Sequence, residues 1–378
     1  MLRSFLFLFI FLISTFTFSQ NKSSKDKPDN WDSFIKNWMQ KDSVPGIFLT
    51  IAKEGKVLKQ KGYGYTNIEL KSIPQSNTVY EIATITKTFT GIAINILAEQ
   101  GQLHLDSSIL TYIDSLPQGW KLVTVRNLLY HCHGLNPMHY DESMLHGPPG
   151  YRYTTRDQLL FFKGQRQYAL AGTASYNTNS AYFLLGLIIQ HVGGTGFNDF
   201  IRRYIFDKAG MKNSSFINEE ANSTNRAQGY TIRSGKWINW MLKQDIESLD
   251  CNSFAGILTT ADDMLLFDSA LRNNLLVKKE TYQQILEPFI LPDGNPAASG
   301  RNSWGMGCMV RDILGYQCVF QLGQTGTGFF RFPKENLSVI IFTNLGEGND
   351  FIKDKGTDIG DYGYKLAEET VRNYLLKK

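Results

Sequence analysis

The sequence has no apolar run long enough to span a membrane, few cysteines and no marked excess of either charge. The uncharged stretch from Ser4 to Phe18 falls short of the roughly 20 residues a spanning helix needs. Four cysteines, Cys132, Cys251, Cys308 and Cys318, in 378 residues do not make a disulfide scaffold. A net charge of +4 is mild for this length and does not support nucleic-acid or polybasic membrane binding, which need clustered charge. There is no internal repeat and no low-complexity tract. There is also no G-x-S-x-G elbow, no P-loop and no G-x-G-x-x-G following a strand, so the chain carries none of the usual marks of an α/β-hydrolase, an NTPase or a dinucleotide enzyme. His131, Cys132, His133, His139 and His146 lie close together, but their spacing fits no common metal motif, and structural histidines are expected. No metal or organic cofactor is implied.

What is present begins with an address. Arg3, the apolar run to Phe18, and small residues at Thr17 and Ser19 describe a signal peptide over residues 1–19, with an uncleaved anchor as the alternative reading. Residues 20–30 are polar and aperiodic, a flexible leader. No cysteine follows the cleavage point, so no lipid or stable membrane anchor is expected afterwards, and the product is periplasmic or secreted. Residues 31–378 have ample apolar and aromatic content for a large core; their length alone suggests two domains, and it is their motifs that make them one catalytic unit of two lobes.

Periodicity then places the elements. Trp31, Phe34, Ile35 and Trp38 have helical spacing within Trp31 to Gln40. Gly46 to Ala52 and Val57 to Tyr65 read as a hairpin around Glu54-Gly55. Thr86 to Gln100 is a long helix, apolar on most sides and closed by Gly101. Helices follow at Val125 to Tyr130, Ala181 to Val192 and Phe197 to Phe206. Strand patterns return at Gly305 to Val310, Gln317 to Leu322, Gly328 to Phe332 and Leu337 to Asn344, before a last helix from Tyr362 to Leu376. Strands at both ends with helices between predict an α+β fold. Its antiparallel sheet forms from the N- and C-terminal segments, is flanked by helices and carries an inserted, mostly helical lobe. Cys308 and Cys318 flank the turn at Arg311 to Gly315; a cross-hairpin disulfide is one state, buried thiols the expected one.

The chemistry centres on Ile82-Ala83-Thr84-Ile85-Thr86-Lys87, where a hydroxyl precedes a lysine by three residues at a helix N-terminus. Residues three apart share a helix face, so the Lys87 amine can serve the Thr84 hydroxyl. A desolvated lysine of lowered pKa is a base that activates such a hydroxyl. Spacing alone is a weak signal, since Ser24…Lys27, Ser33…Lys36 and Thr50…Lys53 repeat it without this context.

The whole block resembles the nucleophile segment of the β-lactamase-related serine hydrolases, a family that includes class C β-lactamases, D-Ala-D-Ala carboxypeptidases and esterases. There the pattern is Ser-x-x-Lys followed by Thr-Phe-Thr; here Thr84 stands in the serine position. Further blocks are similar in order and spacing: Gly101 to Asp106, Thr124 to Leu135, Leu184-Leu185-Gly186, Phe206 to Phe216 and Phe254 to Asp263. The likeness runs from Trp31 to Leu376.

The resemblance implies two more elements. The first is Tyr-x-Asn before a helix, set against Ser175-Tyr176-Asn177-Thr178-Asn179. Counted back from Leu184, Asn179 takes the asparagine place and Asn177 the tyrosine place. Counted from Tyr176, Thr178 replaces the asparagine. One extra loop residue would bring both Tyr176 and Asn179 to the site, and this favoured register gives Tyr176 proton relay and Asn179 substrate-amide binding. A helix N-cap at Thr178 or Asn179 is the structural alternative. The second element is Lys-Thr-Gly or His-x-Gly on a cleft strand, here Gln324, Thr325, Gly326 and Thr327. Backbone N–H groups of Thr84 and Thr327 would hold an oxyanion, and Gln324 removes the cation. A Gly-rich turn between strands is the plain alternative.

Taken together, the resemblance implies acyl-transfer hydrolysis of an amide or ester, on a small-molecule or peptide substrate, cell-wall material included. Turnover should be attenuated, because the threonine methyl restricts χ1 and crowds attack. A non-catalytic binding or regulatory module that keeps the fold is the rival expectation, since all three motifs depart together.

Overall fold

The computed structural model describes residues 30–135, 154–163, 167–217, 219, 225–233, 236–239, 253–345 and 359–376. The signal segment 1–19, nearly all of the leader 20–30, His139, His146 and Cys251 lie outside them.

In chain order, helix α1 (Asn30–Asp42) leads into the hairpin β1 (Gly46–Lys53) and β2 (Lys56–Gly64), and then β3 (Tyr80–Glu81). The helical part follows as α2 (Thr86–Glu99), α3 (Val125–Leu129), α4 (Thr155–Lys163), α5 (Asn179–Gly193) and α6 (Phe197–Ile201). Short strands β4 (Ser215–Phe216), β5 (Tyr230–Arg233), β6 (Lys236–Asn239) and β7 (Ile257–Thr259) precede α7 (Ala261–Arg272) and α8 (Lys279–Leu286). The chain ends in β8 (Ala298–Ser299), β9 (Asn302–Trp304), β10 (Met309–Ile313), β11 (Tyr316–Gly323), β12 (Thr327–Phe332), β13 (Leu337–Thr343) and α9 (Ile359–Tyr374).

The main sheet has the order β2-β1-β13-β12-β11-β10-β9-β8, so both ends of the chain build it. Its ladders are antiparallel, and β1 pairs β13 from Ile47↔Thr343 to Lys53↔Leu337. The expected α+β arrangement is thus observed. The first hairpin closes at Glu54 and Gly55, both with positive φ (+54° and +78°), the twist a two-residue hairpin turn favours.

Strand alternation divides the core. Ile47, Leu49, Ile51, Val339 and Ile341 face one side, in a cluster with Trp31, Ile35 and Trp38 of α1 and Leu366 of α9. Trp38 stacks on Tyr362 across that layer at 4.8 Å. Phe48, Phe329, Ile340 and Phe342 face the other side, in the larger cluster holding Phe89 of α2, Leu184 of α5 and Phe267 of α7. Because both faces are covered, β12 and β13 are buried at every position, Arg331 and Ser338 included.

Two local expectations are corrected. Gly305 to Val310 is not one strand: residues 305–308 lie between β9 and β10, with Gly305 N–H donating to Cys308 O at 2.9 Å. That segment docks on α2 instead, where Thr88 Oγ1 donates to Gly307 O at 2.8 Å. The Phe197 to Phe206 helix also changes pitch, from α6 into a π-helical segment at Arg202–Phe206. Cys308 and Cys318 are buried free thiols. They belong to opposite faces of the sheet, Cys308 in the larger cluster and Cys318 under α1 and α9, so no bridge can form without moving a strand.

Candidate active site

Thr84 sits in a short 3₁₀ turn, Ala83–Ile85, between β3 and α2. Ala83 has φ +44°, a left-handed conformation that costs an alanine roughly 1–2 kcal/mol. The hairpin turn joining β11 to β12 holds this backbone. Thr325 Oγ1 donates to Glu81 O at 2.7 Å and Thr327 Oγ1 to Ile82 O at 3.3 Å. Gly323 lies against the same peptide: a Cβ there would come within 2.4 Å of Ile82 O, so no larger residue fits. On the other side Thr86 Oγ1 accepts from Ile257 N–H at 3.2 Å. Thr84 itself is half-buried, and its hydroxyl has no hydrogen-bond partner among the described residues. Its N–H belongs to the first turn of the helical run, where such groups have no partner within the helix.

One turn on, Lys87 is only 1% exposed. Its Nζ donates to Asn177 Oδ1 at 3.2 Å and to Thr178 O at 3.4 Å, and it lies 5.3 Å from the centre of the Tyr182 ring. No carboxylate pairs with it among the described residues, and burial lowers its pKa to about 7. Near neutrality the amine is therefore available as a base.

Beneath Lys87 lie His131 and His133, both fully buried. His133 Nδ1 accepts from Leu135 N–H at 2.9 Å, which leaves Nε2–H to donate to Thr178 Oγ1 at 2.9 Å. His131 Nδ1 accepts from Thr178 N–H at 3.3 Å, and its ring faces Trp304 and Tyr182 at 4.5 and 5.1 Å. Burial, with the Lys87 charge adding to it, pushes His131 well below the usual imidazole range and His133 to about 3. Both rings stay neutral at physiological pH, so neither competes with Lys87 for a proton.

The register of the second element follows from helix capping. Thr178 is the N-cap of α5, its hydroxyl accepting from Ala181 N–H at 3.3 Å. That fixes Asn177 as the residue facing Lys87. Tyr176, favoured from the sequence for proton relay, is 50% exposed and packs edge-on against Tyr168 at 6.1 Å. It makes no side-chain hydrogen bond among the described residues; only its N–H is engaged, with His131 O at 2.9 Å. The count back from Leu184 therefore describes the contact, and an amide stands where a phenol was favoured. Asn179 opens α5 and is half-buried.

Gln324, Thr325 and Gly326 form the turn itself, with Gly326 N–H donating to Gly323 O at 3.0 Å and Gly323 pairing Thr327. Thr325 and Thr327 are buried, and their hydroxyls serve the Glu81–Ile82 backbone. Gln324 is half-buried without a hydrogen-bond partner among the described residues. The structure thus gathers Thr84, Lys87, Asn177 and the 324–327 turn around one helix N-terminus. His133, expected as a structural histidine, is one, while the Lys87 contact to Thr178 was not foreseen from the sequence. The available signal was a threonine three residues before the helical Ala181, which marks the cap and hence the register.

Comparison with known proteins agrees with this fold. Residues 31–363 match the family model described as Beta-lactamase. The chain is 26% identical over 330 residues to Protein flp of Staphylococcus aureus strain MW2, covering 85% of this chain and 64% of that one. It thus spans just under two thirds of that relative's length. Among solved structures it superposes on the octameric penicillin-binding protein homologue from Pyrococcus abyssi with a TM-score of 0.76 and 26% identity, covering 90% of this chain and 76% of the other. The D-amino acid amidase of Ochrobactrum anthropi shares the fold at a TM-score of 0.75 and 20% identity, over 90% of this chain and 97% of that one. The chain belongs to the β-lactamase family.

Proposed function

We propose that this protein is an exported hydrolase that acts by acyl transfer on an amide or ester, with Thr84 as nucleophile and Lys87 as the base. The observation that carries the reading is Lys87, fully buried, without a carboxylate partner among the described residues, its pKa lowered to about 7 one helical turn from an unengaged hydroxyl. A lysine kept for structure alone would be paired or turned to solvent.

Lys87 Nζ takes the proton of Thr84 Oγ1 as the oxygen bonds to the substrate carbonyl carbon. Negative charge moves to the carbonyl oxygen, placed at the positive end of α2 against the N–H groups of Thr84 and Thr327. The tetrahedral centre collapses with loss of the alcohol or amine, which receives the proton from the Lys87 ammonium. Water then attacks the threonyl ester, Lys87 accepts its proton, and Thr84 Oγ1 recovers that proton as the acid leaves. Asn177 orients the Lys87 amine but cannot carry a proton, so one base serves both half-reactions. The threonine methyl adds crowding, and a misplacement of about 1 Å can cost roughly 100-fold. A slow enzyme is the expected result.

The amide at Asn177 also favours a second reading, a binding module that keeps the site without turnover. One experiment separates the two. The mature protein is incubated with an activated ester and with a β-lactam, and its intact mass is measured. A stoichiometric acyl adduct, absent in Thr84→Ala, is expected. No adduct with either reagent would leave the binding reading in place. Hydrolysis undiminished in Thr84→Ala would move the nucleophile elsewhere. Thr84→Ser is expected to gain rate by removing the methyl.

A further inference from the structure

A second concavity lies away from Thr84. It is a cavity of about 530 Å³ between α7, α8 and the β11–β13 strands, with the Pro333–Glu335 turn at its mouth. That volume is within the 300–1,000 Å³ range of small-molecule sites. Its floor is a pre-set polar network. Arg331, 5% exposed, donates from Nε to Asp268 Oδ1 at 2.6 Å, and Ser338 Oγ donates to the same oxygen at 2.7 Å. Tyr282 closes the group by holding the Arg331 guanidinium through its hydroxyl.

With Asp268 satisfied by Arg331, the walls carry uncompensated positive charge. Arg272, Lys279 and Lys334 line the cavity, and none has a carboxylate partner among the described residues. Glu287, exposed at the rim, is the remaining acid of the lining, and Glu335 of the mouth turn keeps one carboxylate oxygen buried without a hydrogen-bond partner among the described residues, so the three cations still outnumber the acids. Arg272 is held in place. Its guanidinium packs under the β1–β2 turn, where a Cβ on Gly55 would come within 3.0 Å of Nη2, and its buried Nε has no hydrogen-bond partner among the described residues. Two flexible lysines beside one fixed arginine suit an oxyacid of charge near −2, bound through the fork of the arginine and closed over by the ammonium groups.

We infer that this cavity binds a small molecule bearing a dianionic oxyacid group, a phosphate monoester or a dicarboxylate, at Arg272, Lys279 and Lys334. The site shares no residue with the Thr84 centre. The strand β12 joins them, with Thr327 at one end and Arg331 at the other.

The test is calorimetric titration of the full mature chain at low salt with inorganic phosphate, glucose 6-phosphate and succinate, each alone. Saturable one-to-one binding of at least one probe is expected, weakening as salt is added. A preference for the two phosphates or for succinate identifies the oxyacid. Tighter binding of the sugar phosphate than of phosphate shows that the remaining volume is used. Arg272→Gln should weaken binding about tenfold or more, and Lys334→Gln, at an exposed position that does not threaten folding, about threefold to tenfold. Thr84→Ala should bind like the parent. No saturable binding of any probe would overturn the proposal. So would affinity unchanged in folded Arg272→Gln and in Lys334→Gln, or binding lost in Thr84→Ala. If Arg272→Gln does not fold, Lys334→Gln decides.

Discussion

Lys87 and Arg331 are both buried cations, 1% and 5% exposed, yet the protein treats them in opposite ways. Arg331 meets a carboxylate, a hydroxyl and a backbone carbonyl, and its charge is matched where it lies. Lys87 meets only the neutral oxygens of Asn177 and Thr178, above two neutral imidazoles. The first arrangement keeps a charge and stabilises a floor. The second surrenders the charge near pH 7 and leaves an amine that can take a proton. Burial alone does not mark a functional cation; burial without an anionic partner does.

The largest effect is expected at Asp268. Asp268→Ala leaves Arg331 buried and unmatched, and chemical denaturation should show a loss of about 3–5 kcal/mol. A loss below about 1 kcal/mol would mean that water reaches Arg331 and the contrast is weaker than drawn.

Lys87→Met should behave inversely. Acylation of Thr84 by an activated ester, followed by intact mass, is expected to slow by about 10²- to 10⁴-fold. The same variant should unfold at higher denaturant, by roughly 1–4 kcal/mol, because a desolvated polar group has been replaced by an apolar one. Loss of both rate and stability would make Lys87 a structural residue.

The titration of Lys87 gives the third expectation. Its folded pKa is about 7 against an ordinary 10.5, so between those values the unfolded chain holds a proton that the folded chain lacks. This group's contribution to stability therefore rises with pH across that window and is flat below about pH 7. Activity should follow the neutral amine, falling by about tenfold per pH unit on the acid side of about pH 7. A rate independent of pH from 5 to 8 would remove Lys87 from the reaction.

The smallest effect is expected at Asn177. Asn177→Tyr puts a proton-carrying phenol against Lys87 Nζ, and the single-turnover rate with an activated ester should rise by about fivefold to tenfold. An unchanged rate would show that the threonine methyl, not the missing relay, limits the chemistry.

Much of the fold could be read from residues close in sequence. The Glu54-Gly55 turn, the apolar spacing of α1 and the continuous runs of β12 and β13 each declare themselves over a few residues. Thr84 and Lys87 lie three residues apart, so their expected closeness needed only the helical period, although Lys87 Nζ bonds to Asn177 and Thr178 rather than to Thr84. The Lys87–Asn177 contact joins residues 90 apart, and one residue of register decides whether a phenol or an amide arrives there. The cap at Thr178 settles it, by bonding to Ala181. The Gly323 to Thr327 stretch is likewise ambiguous in sequence. Its two threonines could face a cleft, but in the fold their hydroxyls satisfy carbonyls preceding the nucleophile turn. The cationic cavity had no sequence signal, since Arg272, Lys279 and Lys334 come from separate elements.

The pairing of β1 with β13 also sets the order in which the molecule can assemble. Ile47 meets Thr343, so the centre of the sheet cannot close until nearly the whole chain has been made. The N-terminal hairpin must wait, its apolar face uncovered, for a strand delivered last. Such distant pairing slows folding, because the entropy of closing the long loop is lost before the contacts return it. A chain built this way completes its central sheet only late in its synthesis.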